Sequence, residues 1–166
     1  MKLIQILLLG ILIINELVLA QSQFIDFYGT RISIGMSKTE VQNLFRKNYE
    51  IEQKDNFIVV YTKDDKSYVG DFGFENNRLY VANRFWGVYE TENPMEFTDV
   101  LYTLFSKIEG ENLGTAEIST YTQNEPTATY KTLTYDYGDK DILIQIVNTK
   151  KYYGVTITER LLRVNY

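Results

Sequence analysis

The chain has 166 residues, 17 basic and 22 acidic, for a formal charge of −5, and contains neither histidine nor cysteine. Those two absences exclude Ser–His–Asp and Cys–His catalysis, thiolate chemistry, disulfides, and zinc sites built on His or Cys. The acidic balance speaks against nucleic acid, whose phosphates need a basic stripe, and against anionic lipid.

Residues 1–20 read as an export signal. Lys2 supplies the positive start, Leu3 to Leu19 is strongly apolar, and Val18 to Ala20 places small residues where a signal peptidase reads, with the cut between Ala20 and Gln21. The segment is short for a membrane span of ~20 residues. It also contains Glu16, and an acid at the bilayer centre costs about 2.5–3.5 kcal/mol. Cleavage is therefore expected, with no membrane insertion afterwards, and the absence of cysteine leaves no site for an N-terminal lipid. Residues 21–166 keep the charge of −5, because the leader removes one base and one acid. They are expected to form a single α+β domain, periplasmic or secreted, with sub-halves 30–90 and 91–166. Usage rich in Lys, Asn, Ile and Tyr suggests an AT-rich bacterial genome, and 14 Tyr with 9 Phe favour strands.

In chain order, an apolar run over Ile32–Ile34 ends at Gly35, where a tight approach or positive φ is expected. Ser37 to Glu40 is a capping box, and Met36 with Val41 has the spacing of a hydrophobic staple. Val41, Leu44 and Phe45 then line one helical face, which predicts a helix from Lys38 to about Asn48. A phosphate-cradling loop would need more glycines than Gly35 and a basic residue after them, so this turn starts a helix and holds no active site.

Strands are predicted over Phe57–Tyr61, Tyr68–Glu75 and Arg78–Trp86. The second and third flank Asn76 and Asn77, residues that tolerate the positive φ of a two-residue hairpin turn. A regular register pairs Glu75 with Arg78, and pairs Phe74 with Leu79, Phe72 with Val81 and Tyr68 with Phe85, the apolar pairs sharing one face. On the other face Gly73 meets Tyr80 and Asp71 meets Ala82.

Asn93 caps a second helix, Pro94 occupies its first position and Glu96 completes an N-x-x-E box. Phe97, Val100, Leu101, Leu104, Phe105 and Ile108 form its apolar stripe, and Gly110 marks its end. Strands follow over Thr115–Tyr121, Thr127–Tyr137, Ile142–Val147 and Tyr152–Glu159. The expected fold is therefore two amphipathic helices packed on antiparallel β-meander sheets, with each half a helix followed by a meander, as in a degenerate tandem repeat.

The segment "GMSKTEVQNLF", followed by "FGFENNRLYVANRFW", resembles SmpA/BamE-type outer-membrane assembly proteins and the β-lactamase-inhibitor proteins. The resemblance implies a helical start packed on antiparallel strands, present twice in the inhibitors, and protein–protein binding outside the cytoplasm without catalysis. The chain departs from that pattern at Arg46–Asn48, where a Gly-x-Pro turn is common, and in lacking the lipid-bearing cysteine and the inhibitors' disulfides.

What chemistry remains is carried by acids, a lysine-activated serine or an all-oxygen metal site. Asp64 with Asp65, and Asp139 with Asp141, are the candidate acid pairs, and both fall on predicted turn tips where acids ordinarily meet water. Asp136, Asp139 and Asp141 lack the Gly and distal Glu of a calcium loop, so neither a metal nor a cofactor is expected. Tyr80, Arg84 and Trp86 are expected to share the face opposite Phe72 and Phe74; Tyr, Trp and Arg are the usual anchors of a binding surface, but the favoured reading is that a helix or the second meander covers this face and makes them core or rim residues. The leading expectation is an exported, non-catalytic module recognising a protein or cell-envelope component, through Tyr80, Arg84 and Trp86. The alternatives are a small carboxylate-based hydrolase or carbohydrate-active enzyme, and a structural envelope protein.

Overall fold

The structure, a computed structural model, describes residues 24–90, 94–111, 113–150 and 153–162, without the side chains of 88–90, 94 and 96. The export signal, the Asn93 cap and its Glu96 partner lie outside the described residues.

Ten strands and two helices are described, mainly antiparallel sheet with two helices, an α+β fold. A short hairpin, β1 (Phe24–Phe27) and β2 (Thr30–Ser33), leads into α1 (Lys38–Phe45). Strands β3 (Tyr49–Lys54), β4 (Phe57–Thr62), β5 (Tyr68–Glu75) and β6 (Arg78–Glu90) follow. Then come α2 (Pro94–Glu111), β7 (Glu117–Glu125), β8 (Ala128–Asp136), β9 (Lys140–Thr149) and β10 (Tyr153–Leu162). Strands β3 to β10 make one sheet in the order β3-β4-β5-β6-β10-β9-β8-β7. The last strand of each four-strand run thus meets its counterpart at the centre, and β3 and β7 are the edges. Among the described residues no helix is long and apolar enough to cross a membrane.

The Ser37 hydroxyl accepts from the Glu40 N–H (3.3 Å), and the Glu40 carboxylate accepts from the Ser37 N–H (2.7 Å), closing the capping box. These bonds hold the Glu40 carboxyl below the usual carboxylate range. Gly35 has φ +88°, and its N–H donates to the Leu79 carbonyl at 2.9 Å, tying the helix entry to β6. The helix stops at Phe45, earlier than its apolar spacing predicts, because the chain turns at 46–48 into β3. That strand has little sequence signature: its Glu50, Glu52 and Lys54 are exposed, and only Tyr49 and Ile51 pack inward.

Asn76 and Asn77 take φ +49° and +62°, the mirror-image turn their identity predicts. Glu75 pairs with Arg78 and Phe74 with Leu79, as the regular register requires, but then the ladder slips. Gly73 pairs with Val81, Phe72 with Ala82 and Asp71 with Asn83, leaving Tyr80 as the extra residue of a bulge. Trp86 on β6 and Val69 on β5 are extra residues of the same kind. A bulge puts two residues opposite one, so every side chain beyond it changes partner and face.

Both helices cover the same face of the sheet. Val41 and Phe45 of α1 are buried with Phe27 and Ile32 of the hairpin and with Ile58, Phe72, Leu79 and Leu161 of the sheet. The Phe27, Phe45 and Phe72 rings stand 5.0–5.6 Å apart in tilted and edge arrangements, the geometry aromatic quadrupoles favour. Leu104 and Ile108 of α2 are buried with Ile142 and Ile157, and Phe105 meets Tyr135 edge-on at 5.0 Å. Ile157 and Leu161 point the same way from β10 by the two-residue period, so the two clusters lie side by side under one layer.

Gly70 belongs to the covered face. A Cβ there would overlap the Asn83 carbonyl oxygen and reach 2.8 Å from the Phe27 ring, so only glycine lets the hairpin close on the sheet. We expect Gly70→Ala to lower the unfolding free energy by about 1–3 kcal/mol through overpacking. Gly110→Ala, where a Cβ meets nothing within 4 Å, should raise it by about 0.4–1 kcal/mol. Urea unfolding of both variants reads the difference, and an unperturbed Gly70 variant would refute the close approach.

Candidate binding face

The bulge at Tyr80 divides the three residues that regular alternation places together. The Tyr80 ring lies over the open side of Gly73, beside Val81 and Phe57. Arg84 and Trp86 lie on the helix-covered side instead: Phe72 is opposite Ala82, and Arg84 is two residues further on the same face. Arg84 is 6% exposed. Its guanidinium stacks on Trp86 at 3.8 Å and donates to the Asp26 carbonyl oxygen. The expectation that Tyr80, Arg84 and Trp86 share one face is thereby corrected, because the extra residue reverses the direction of the side chains that follow it as far as the second bulge at Trp86.

Arg84 and Trp86 belong to an ionic seam between the two cores. Glu159 stands on β10 between Ile157 and Leu161 and is fully buried. It accepts from Lys107 Nζ of α2 (3.1 Å) and Trp86 Nε1 of β6 (3.2 Å), and pairs with Lys140 Nζ of β9 at 3.2 Å. Glu111 of α2 joins both lysines. Four elements therefore converge on one carboxylate. Its charge is matched and its oxygens are occupied, so the cluster fastens elements together and offers no free acid or base.

The opposite face has no described element packed on it. The registers place one row of side chains straight across it, residue opposite residue. Glu52 is opposite Val59, Val59 opposite Asp71, and Asp71 opposite Asn83. Asn83 is opposite Arg160, Arg160 opposite Asp141, Asp141 opposite Asp136 and Asp136 opposite Glu117. The row holds five acids and one arginine.

Within the row, Arg160 clasps Asp141, with Nε to Oδ2 at 2.9 Å. Burial pushes the Asp141 carboxyl up, Arg160 pulls it back, and the facing Asp136 raises it again. Asp71 accepts from Asn83 Nδ2 at 2.8 Å and from the Tyr68 hydroxyl. Burial, then that hydrogen bond, then the Asp71 charge push the Tyr68 phenol well up, so it stays a donor. Among the described residues no cation lies within 4 Å of Asp71, Asp136 or Glu117.

Beside the row runs a ladder of rings: Tyr61 to Tyr68 at 6.2 Å and Tyr68 to Phe85 at 5.3 Å. Between the ladder and Arg160 lies a hollow of about 260 Å³, lined with Asp71, Asn83, Gln145, Thr156 and Thr158. Hydroxyls, an amide, carboxylates and ring faces around a shallow hollow suit recognition. Tyr68, Asp71, Asn83, Phe85 and Arg160 are the residues that sequence reasoning missed. The Tyr68–Phe85 contact was legible, but its face was not, and Asp71 faces Asn83 only because of the bulge.

The two candidate acid pairs are also placed. Asp65 sits in the β4–β5 turn and accepts from the Ser67 N–H (3.1 Å), the Ser67 hydroxyl (2.8 Å) and the Thr62 hydroxyl. These bonds lower its carboxyl to about 2. Asp141 is a buried strand residue, which corrects its assignment to a turn tip. Asp136 closes that turn by accepting from the Gly138 N–H at 2.6 Å.

Glu159→Ala leaves Lys107 and the buried Lys140 to share Glu111 alone, one positive charge in excess, and should cost about 3–5 kcal/mol in urea unfolding; a loss below 1 kcal/mol would show that the seam contributes little. Side-chain carboxyl NMR should place the Asp65 midpoint near 2 and that of Asp141 above the ordinary aspartate value. A lowered folded-state pKa means that Asp65 contributes its stability in full above the ordinary value and loses it as pH falls through about 2. Asp141 acts with the opposite sign, costing stability as pH rises through its raised value. Two unshifted midpoints would refute both environments. No protein-family model, curated protein or solved structure matches this chain.

Proposed function

We propose that the protein is an exported, non-catalytic binding module, acting in the periplasm or beyond, whose open sheet face recognises a protein or an envelope component. The single observation that carries this reading is one-sided cover. Both helices and the N-terminal hairpin pack on one face of the sheet, while the other displays the Tyr61–Tyr68–Phe85 ladder beside a polar hollow. A monomer gains nothing from leaving such rings in water, and Tyr and Arg carry much of the energy where proteins meet. The leader-like sequence of residues 1–20 supports export, and the resemblance of the 35–45 segment to envelope assembly and inhibitor proteins points the same way. We further read the two halves, each a helix followed by four strands meeting at β6 and β10, as a degenerate tandem repeat. The carboxylates that chemistry would need are engaged elsewhere: Glu159 in the seam, Asp65 in a turn, Asp141 by Arg160.

The test is site-specific photo-cross-linking in the producing cell. A photoreactive residue at Thr158, on the open face, should give a discrete adduct identifiable by mass spectrometry. The same residue at Tyr102, exposed on α2, should not. Adducts of equal yield at both positions, or at Tyr102 alone, would overturn the assignment of the face.

A further inference from the structure

Resting on that reading, we propose that the occupant of the open face is a basic protein segment, one that presents arginine or lysine side chains from an extended stretch. The charge distribution carries the argument. The cations Arg84, Lys107 and Lys140 are drawn to the covered side, where they meet Asp26, Glu111 and Glu159. The open face keeps acids in its central row, and the one arginine of that row is already clasped by Asp141. Asp71, Asp136 and Glu117 are left without a cation within 4 Å among the described residues. A chain of charge −5 thus sets a row of acids, three of them without a cation, across the side that has no cover. Complementary potential of this kind steers encounter and rejects wrong partners.

Local chemistry narrows the class to arginine first. Asp71 lies beside Tyr68, which is 37% exposed and whose ring continues to Tyr61 and Phe85. A guanidinium laid on such a ring can place its fork on the neighbouring carboxylate, combining cation–π and charge-assisted bonds. The hollow of about 260 Å³ beside Asp71 admits a side chain of that size. Lysine satisfies the charge but not the flat stacking. An acidic or anionic ligand would meet the row as like charge.

Two synthetic peptides of alternating charge and threonine test this, one with arginine and one with glutamate, each titrated into the isotope-labelled chain by NMR. The arginine peptide should shift amides of β5, β6, β9 and β10 around Asp71, and its apparent Kd should weaken about tenfold as ionic strength rises from about 0.01 to 0.15 M, over which the Debye length falls from ~30 to ~8 Å. Asp71→Asn with Asp136→Asn should weaken it at least about fivefold, on the scale of rim charges, while the glutamate peptide leaves these amides unmoved. Equal binding of the two peptides, unchanged binding by the double variant, or shifts confined to the helix side would overturn the proposal. A concentration-dependent shift of the same amides without peptide would also overturn it, in favour of a second copy of this chain. The Thr158 cross-link reads the face whatever its charge, so its success with failure here overturns the partner's chemistry alone.

Discussion

A carboxylate with no access to water holds this molecule together. Glu159 lies between two apolar clusters and binds groups from α2, β6 and β9. Burying a charge is costly unless its partners are close and its oxygens are filled. Here both conditions are met, and the cost becomes a constraint. Helix α2 must sit where Lys107 reaches β10, and Arg84 must turn inward to stack on Trp86. Apolar packing alone would allow α2 to slide over a greasy surface; the ion seam fixes it in register.

That fixing decides which side of the sheet is left bare. Two helices and a hairpin cover one face of the sheet from β3 to β8, leaving β7 bare, and the seam, the phenylalanine cluster and the α2 stripe all draw on the same layer. Arg84, Lys107 and Lys140 are engaged there. What remains outside is a surface rich in hydroxyls, rings and acid, shaped by subtraction as much as by its own contacts.

Much of the scaffold was legible because local signals agreed with one another. The Ser37–Glu40 box, the Asn76–Asn77 turn and the stripe from Phe97 to Ile108 each satisfy a rule that needs only nearby residues. Strand β3 was not legible, since an edge strand bearing Glu50, Glu52 and Lys54 buries too little to leave a pattern. The hairpin β1–β2 was too short, with four residues a side. The candidate site failed for a different reason. Alternation is a reliable guide until a residue is inserted, and the extra Tyr80 on β6 inverts the stretch from Val81 to Trp86. A bulge is decided by packing across strands, here the crowding of Tyr80, Val81 and Phe57 over Gly73, and no short-range signal announces it.

The outer edge at β7 has a consequence of its own. From Ile118 to Asn124 this strand carries no charge, and all its side chains are exposed, with Ile118 and Tyr121 each 63% accessible. Its outward backbone groups face away from β8, the arrangement onto which any extended chain can zip. Each strand added there widens the platform by ~4.8 Å. The footprint this molecule can offer is thus not fixed by its own length: a visitor that donates a ninth ribbon becomes part of the floor on which the next one stands.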